Sequence, residues 1–392
     1  MTQVRAVGVR GGTRTSTVDV HGTVVPDDGS RPLAWHVAGD DRWYSPAAEP
    51  TVRQKWYAGY PVCESRMKVG QGDIVQRVYC VADSGGITVV EFENETPMPV
   101  VVAVTRSDIL TTRPLGDNVP MGIDLPLGSV TLPLGHKSTV RIGLSHASDG
   151  QGRLPDDTPD HQQVVRGWET ACDVSSRITL PDHTVVGRVS AVRSNLLLGI
   201  DTEGAAVELV RLGETHPDSI LDVVNAVQTR LKQEKRAKTL RWDTPHLLAT
   251  AAHACVLLGD DTAAGDIGAA WLRIADRPVA EIPVEVPSGL GSIAWAESLL
   301  VTASPSGGVC TVLPHGIPEP WWGASFDCRG LTADPFRTVS FAVRWHGARP
   351  ALLWETAGPV GLVITSGGDN HGWHTTDASG ETLLAAPAAA DV

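Results

Sequence analysis

The chain has 392 residues, 42% hydrophobic and 20% charged, which suits two or three folded domains and excludes a disordered polymer. Its formal charge of -13, from 45 acidic and 32 basic residues, argues against nucleic acid as the main partner, because phosphate binding needs a concentrated basic footprint. No run approaches the ~20 apolar residues that span a bilayer. Residues 1–30 hold no continuous apolar core of the signal type, so the expected setting is cytoplasmic, with reduced thiols and no membrane partner.

From Val4 to Tyr44, short segments are broken at Gly11-Gly12, Asp27-Asp28-Gly29 and Gly39-Asp40-Asp41. Such punctuation predicts antiparallel strands joined by tight turns. Val62–Val69 and Asp73–Val81 predict a hairpin around Gly70-Gln71-Gly72, and Ile87–Glu93 is expected to pair next with Val100–Arg106. Val75, Arg77 and Tyr79 alternate against Gln76, Val78 and Cys80, with apolar groups on both faces. Ser129–Leu134 and Thr139–Leu144 flank a turn at Gly135-His136, and the polar stretch Ser148–Gln162 reads as an exposed loop. Arg177–Leu180, Val185–Ala191 and Asn195–Leu212 return to β-like patterning. Residues 1–215 therefore predict a large antiparallel β-sandwich.

Helical periodicity is confined to the stretch from Pro217 to Asp276. Ile220, Leu221, Val224, Val227 and Leu231 mark one helix face, opened by Pro217 and Asp218. A second helix starts at Asp243-Thr244-Pro245 and ends at Gly259, and a third fits Asp261 to Ile274. The basic cluster from Lys232 to Arg241 reads as a helix C-terminus followed by a solvated turn. These three helices form a short bridge, residues 216–278. Glu281–Val286 then alternates as a strand, followed by Val309–Leu313, a hairpin of Thr338–Trp345 with Ala351–Glu355, and Gly361–Thr365. Residues 279–392 predict a second, smaller β-sandwich domain, so the expected fold is mainly β.

The 12 tryptophans beside 4 Phe and 4 Tyr are the strongest compositional feature, since indoles offer flat apolar faces with a hydrogen-bonding edge that suit sugar rings. Trp321-Trp322, in a loop dense in Pro and Gly, can present both rings to one surface. Trp345, Trp373 and His371 join them as candidate substrate-binding residues. Glycoside hydrolysis uses two acids, one protonated and one ionised. Candidate acids near aromatic residues are Glu64, Glu91, Glu93, Asp108, Glu297, Glu319, Asp327 and Glu355. Glu355 closes the apolar strand Ala351–Trp354, where a raised pKa would suit catalysis. No spacing selects its partner, and Asp327 and His346 complete the catalytic candidates. His371 and His374 could ligate a metal with His346 or Asp369, although no short ligand motif supports it. The six cysteines include no short-spaced pair, and no Walker loop, serine elbow or nucleotide fingerprint occurs, so no cofactor is expected.

The stretch Arg66–Glu93, with Asp73-Ile74-Val75-Gln76-Arg77-Val78-Tyr79 and Val89-Val90-Glu91-Phe92-Glu93-Asn94, resembles the amino-terminal β-sandwich of bacterial glycoside hydrolases and phosphorylases built on an (α/α) toroid. Ser340–Glu355, with Arg344-Trp345-His346-Gly347 and Arg349-Pro350-Ala351-Leu352-Leu353-Trp354-Glu355, resembles a carboxy-terminal β domain of similar glycan-processing proteins. Such enzymes carry their catalytic acids on the toroid, whereas the room between Glu214 and Ala280 takes about three helices. No toroid glutamate carries over. The resemblance implies a carbohydrate-associated protein that binds a glycan or glycoside. The alternatives are a glycoside hydrolase-like enzyme with a site rebuilt at the β-domain interface, and a non-catalytic interaction protein. A homodimer or a protein partner is compatible with each.

Overall fold

The computed structural model describes residues 5–39, 41–112, 115, 121–147 and 152–387. Val4, Asp40 and Ser148 to Gln151, which enter the expectations above, lie outside the described residues. The chain divides into two compact units, Met1–Glu169 and Thr170–Val392.

In the first unit, a seven-stranded sheet and a four-stranded sheet share one core, and a three-stranded sheet joins the same core. Cys63–Val69 pairs with Gly72–Val81, and Gly72–Val81 pairs with Ile87–Asn94, in the register set by the alternation. Val78 and Val90 face the shared core with Trp35, Phe92 and Val102. Tyr79 and Val89 face the other way, into a smaller cluster completed by Leu154 and covered by Val164 and Val165 of α1 (His161–Cys172). Both faces of the central strands are thus occupied, as the mixed alternation implied.

One expected pairing is overturned. Ile87–Asn94 pairs with Thr139–Ser145 in the larger sheet, while Val100–Val104 pairs with Val130–Leu134 in the smaller. At these two points the chain therefore crosses between sheets instead of forming a hairpin. Asn94 secures the crossing: its amide nitrogen donates to the carbonyls of Met98, Leu134 and Gly135, and its Oδ1 accepts from the Thr96 amide.

The second unit corrects the expected fold class. Among the described residues the chain is mixed α/β with seven helices and open sheets, in place of a mainly β molecule with a three-helix bridge. The expected helices are present as α4 (Ser219–Glu234), α5 (Thr244–Leu257) and α6 (Asp261–Leu272), and they pack through Val223, Val227, Leu248, Cys255 and Ile267. Val185–Ala191 is not a strand; it lies within α2 (His183–Leu197), whose N-cap Asp182 accepts from the Thr184 and Val185 amides. Asn195–Leu212 is no strand either: it holds the end of α2, a turn and α3 (Ala206–Arg211). Glu281–Val286 forms no strand, and α7 (Leu290–Leu300) follows it.

The reason is visible in the buried stripe of α2, where Val185, Val189, Arg193, Leu196 and Leu197 recur with helical spacing. An arginine sits where an apolar residue is expected, and valines crowd the remainder, so the sequence imitates a strand. In α3, Val207, Glu208, Val210 and Arg211 are all buried.

The remainder of the unit is a five-stranded sheet, in the order Arg177–Thr179, Phe326–Asp334, Arg337–His346, Arg349–Ala357 and Ser379–Leu383, and a four-stranded sheet. The expected hairpin forms, with Phe341 opposite Trp354 and Ser340 opposite Glu355, but its strands run on to His346 and Arg349, so the connection is a tight turn at Gly347-Ala348. In the four-stranded sheet Val309–Val312 and Val363–Ser366 run parallel, which no short turn could connect.

Candidate functional site

The charged centre of the second unit comes from three helices. Arg193 on α2, Glu208 and Arg211 on α3, and Glu297 on α7 have side chains between 2% and 7% exposed. Arg193 donates from Nε to Glu208 Oε1 at 2.8 Å and from Nη2 to Glu297 Oε1 at 3.0 Å. Arg211 donates from Nη1 to Glu208 Oε2 at 2.7 Å and from Nη2 to both oxygens of Glu297 at 2.9 and 3.0 Å. Ser175 Oγ donates to Glu208 and Ser176 Oγ to Glu297, at 2.7 and 2.6 Å. Two guanidiniums and two carboxylates therefore close a neutral quartet whose polar atoms are matched, the condition under which buried charge is tolerated.

Burial on its own would raise the pKa of Glu297. The charges of Arg211 and Arg193 outweigh it and hold this carboxylate well below the usual range. His246 Nε2 lies 3.6 Å from Glu297 Oε2. Here burial wins over the nearby carboxylate and lowers the imidazole, which is neutral at pH 7.

A cavity of about 780 Å³ opens against one side of the quartet, bordered by Glu208, Arg211 and His246. The wall formed by α4 presents Asp222, Asn225, Ala226, Thr229, Arg230 and Gln233, the three- and four-residue spacing of a single helix face. Leu290, Ile293 and Ala294 of α7 supply the apolar part. Arg230 is locked by Asp243, with paired contacts of 2.8 and 3.1 Å, and also donates to Thr244 Oγ1 at 2.9 Å. Among the described residues, no Phe, Tyr or Trp side chain lines this cavity. A second cavity of about 330 Å³ shares Arg211 and is bordered by Ser175 and His253.

The residues selected from the sequence lie elsewhere in this unit. Glu355 is exposed and Asp327 is half-buried, both on the outward face of the five-stranded sheet. They stand two strands and two residues apart, which puts their Cα atoms about 12 Å from each other. His346 is exposed at the hairpin end, opposite Arg349. Trp321 is buried, its ring 5.4 Å from that of Phe326. Trp322 and Trp345 are half-buried, with their indole N–H groups donating to Ile317 and Ala324 carbonyls. Trp373 packs edge-on against Trp354 at 5.1 Å, and His371 is exposed. Among the described residues, no group of three or more His, Cys, Asp or Glu side chains is arranged to hold a metal ion.

Glu297 was among the eight acids picked from the sequence, but its partners were not. They stand 86 and 104 residues away, and nothing local connects them. The available signal is three short segments, Arg193, Glu208-x-x-Arg211 and Glu297, each placing a charge within an apolar run.

A different ionic array occupies the first unit. Lys55, Glu64, Arg77, Glu91 and Arg141 stand directly opposite one another on five adjacent strands, alternating in sign. Their contacts run 3.0, 2.9, 3.0 and 2.9 Å across the sheet. Burial would raise Glu64 and Glu91; the surrounding donors outweigh it and hold each at about 2. The Tyr57 hydroxyl also donates to Glu64, and burial pushes that phenol up to about 12. His161 Nδ1 lies 3.3 Å from Glu91.

No protein-family model matches the sequence, and a search of curated proteins finds no relative. Among the described residues, no helix is long and apolar enough to cross a membrane.

Proposed function

We propose that the chain binds a glycan or glycoside in the cavity beside the quartet, without cleaving it. The observation that carries this reading is the polar wall of that 780 Å³ space, where Asn225, Thr229, Gln233, Arg230 and Asp243 offer donors and acceptors side by side. Neighbouring sugar hydroxyls are matched by such planar groups, each of which can engage two partners. Arg230 in this wall is held by Asp243 and Thr244, which lowers the ordering cost of binding. The two sequence stretches that resemble parts of glycan-processing enzymes support the same ligand class.

Glycoside cleavage is less well supported. It needs a carboxyl that carries a proton, whereas Glu297 is held ionised and Glu208 already accepts from Ser175, Arg193 and Arg211. Calorimetry with a glycan panel, followed by product analysis, tests the reading. Binding without product is expected, and filling the cavity by Ala226→Trp should weaken it more than about tenfold while the fold is retained. Unchanged affinity in that variant would overturn the assignment. Loss of binding in Trp322→Ala instead would move the site to the tryptophan loop.

A further inference from the structure

The cavity is elongated and electrically polar. The α4 wall runs from Asp222 to Gln233, about 16 Å at the rise of a helix. Asp222 marks one end of that wall, with His216 placed 3.3 Å from it, and Glu203 and Glu214 also line the cavity. At the other end Arg230 and Arg241 share one carboxylate, Asp243. Glu234 is also near that end but is buried, does not line the cavity, and is used by the Thr244 hydroxyl and the Arg241 amide. Lys232, Lys235, Arg236 and Lys238, adjacent in the chain, are exposed.

Resting on the glycan-binding reading, we propose that the cavity selects acidic saccharides and seats a ligand oxyanion, carboxylate or phosphate, against Arg230 and Arg241. Arg230 is oriented by Asp243, and its side chain is only 13% exposed. Arg241 is 58% exposed and contacts Asp243 through longer distances of 3.3 Å, which leaves its fork able to turn towards a ligand. The acidic end repels a second negative group, so the field sets the direction in which a singly charged chain enters. Hydroxyls of the remaining sugar rings then face Thr229, Asn225 and the far wall.

The test is calorimetry on the full chain at low and high salt, with maltotriose, reducing-end-linked glucuronyl maltose, glucose 1-phosphate and inorganic phosphate as probes. The acidic saccharide or the sugar phosphate should bind about tenfold more tightly than maltotriose, with the gap narrowing in high salt. The tighter of the two identifies the oxyanion as carboxylate or phosphate. Arg241→Glu, checked for folding by its thermal melt, should abolish the preference. Equal or better binding of maltotriose, or a preference that survives Arg241→Glu, would overturn charge selection and leave glycan binding in place. Inorganic phosphate binding as tightly as the sugar phosphate would show that no saccharide is read. If none of the probes bound the folded protein, both readings would fall.

Discussion

The two units bury charge in different ways. In the first, the array follows the register of a sheet: each residue of the Lys55–Arg141 row meets its neighbour because adjacent strands bring opposite positions together. Its ends are open to water, Lys55 at 59% and Arg141 at 29% side-chain exposure. In the second, Arg193, Glu208, Arg211 and Glu297 converge from three helices, and none has an exposed end. A row can lose a terminal member and let water replace it. A closed quartet cannot, because each loss strands an opposite charge away from solvent.

The largest effect is expected from Arg211→Met, which leaves Glu208 and Glu297 short of a cation. A loss of about 3–5 kcal/mol should appear in denaturant melts, and a loss below about 1 kcal/mol would mean that the quartet relaxes as readily as the row. Glu208→Gln keeps the shape and removes one charge, so about 1–3 kcal/mol is expected by the same measurement. At the open end of the row, Lys55→Met should cost no more than about 1 kcal/mol; a larger loss would erase the distinction between the arrays.

Acid sharpens the comparison. Glu64 and Glu91 titrate at about 2 in the folded chain, below the ~4.3 of an unfolded glutamate. Their stabilisation is therefore present above that unfolded value and is lost as pH falls through about 2. Buried histidines act earlier. His36 and His146 in the first unit and His246 and His253 in the second are all held below the usual histidine range by burial. The unfolded chain gains their protons first, so stability falls once pH drops below ~6.5. Melting temperatures taken stepwise from neutral to acid pH should decline in that order, and His246→Asn should flatten the early part of the decline. A flat profile down to the carboxylate range would contradict the histidine assignment.

What could be read from the sequence follows from the same physics. The Gly70-Gln71-Gly72 hairpin, the three helices α4 to α6 and the Phe341–Trp354 register all follow from turn chemistry or clean periodicity. The helices α2, α3 and α7 were hidden because their buried stripes hold Arg193, Glu208, Arg211 and Glu297 in place of apolar residues. The features that disguise these helices are the ones that build the candidate site. Strand pairing failed at Asn94 for another reason: one side chain holds together two crossings between sheets, and its partners are as far away as Gly135.

The six cysteines add a practical consequence. All are buried free thiols, and burial raises every one of them above the usual thiol range. Cys63 and Cys80 belong to the first unit, and Cys172, Cys255, Cys310 and Cys328 to the second. An alkylating reagent in native buffer can modify them only when the surrounding structure opens. Mass-resolved labelling over time thus makes each thiol a clock, and the chain already carries separate clocks for the opening of its two units.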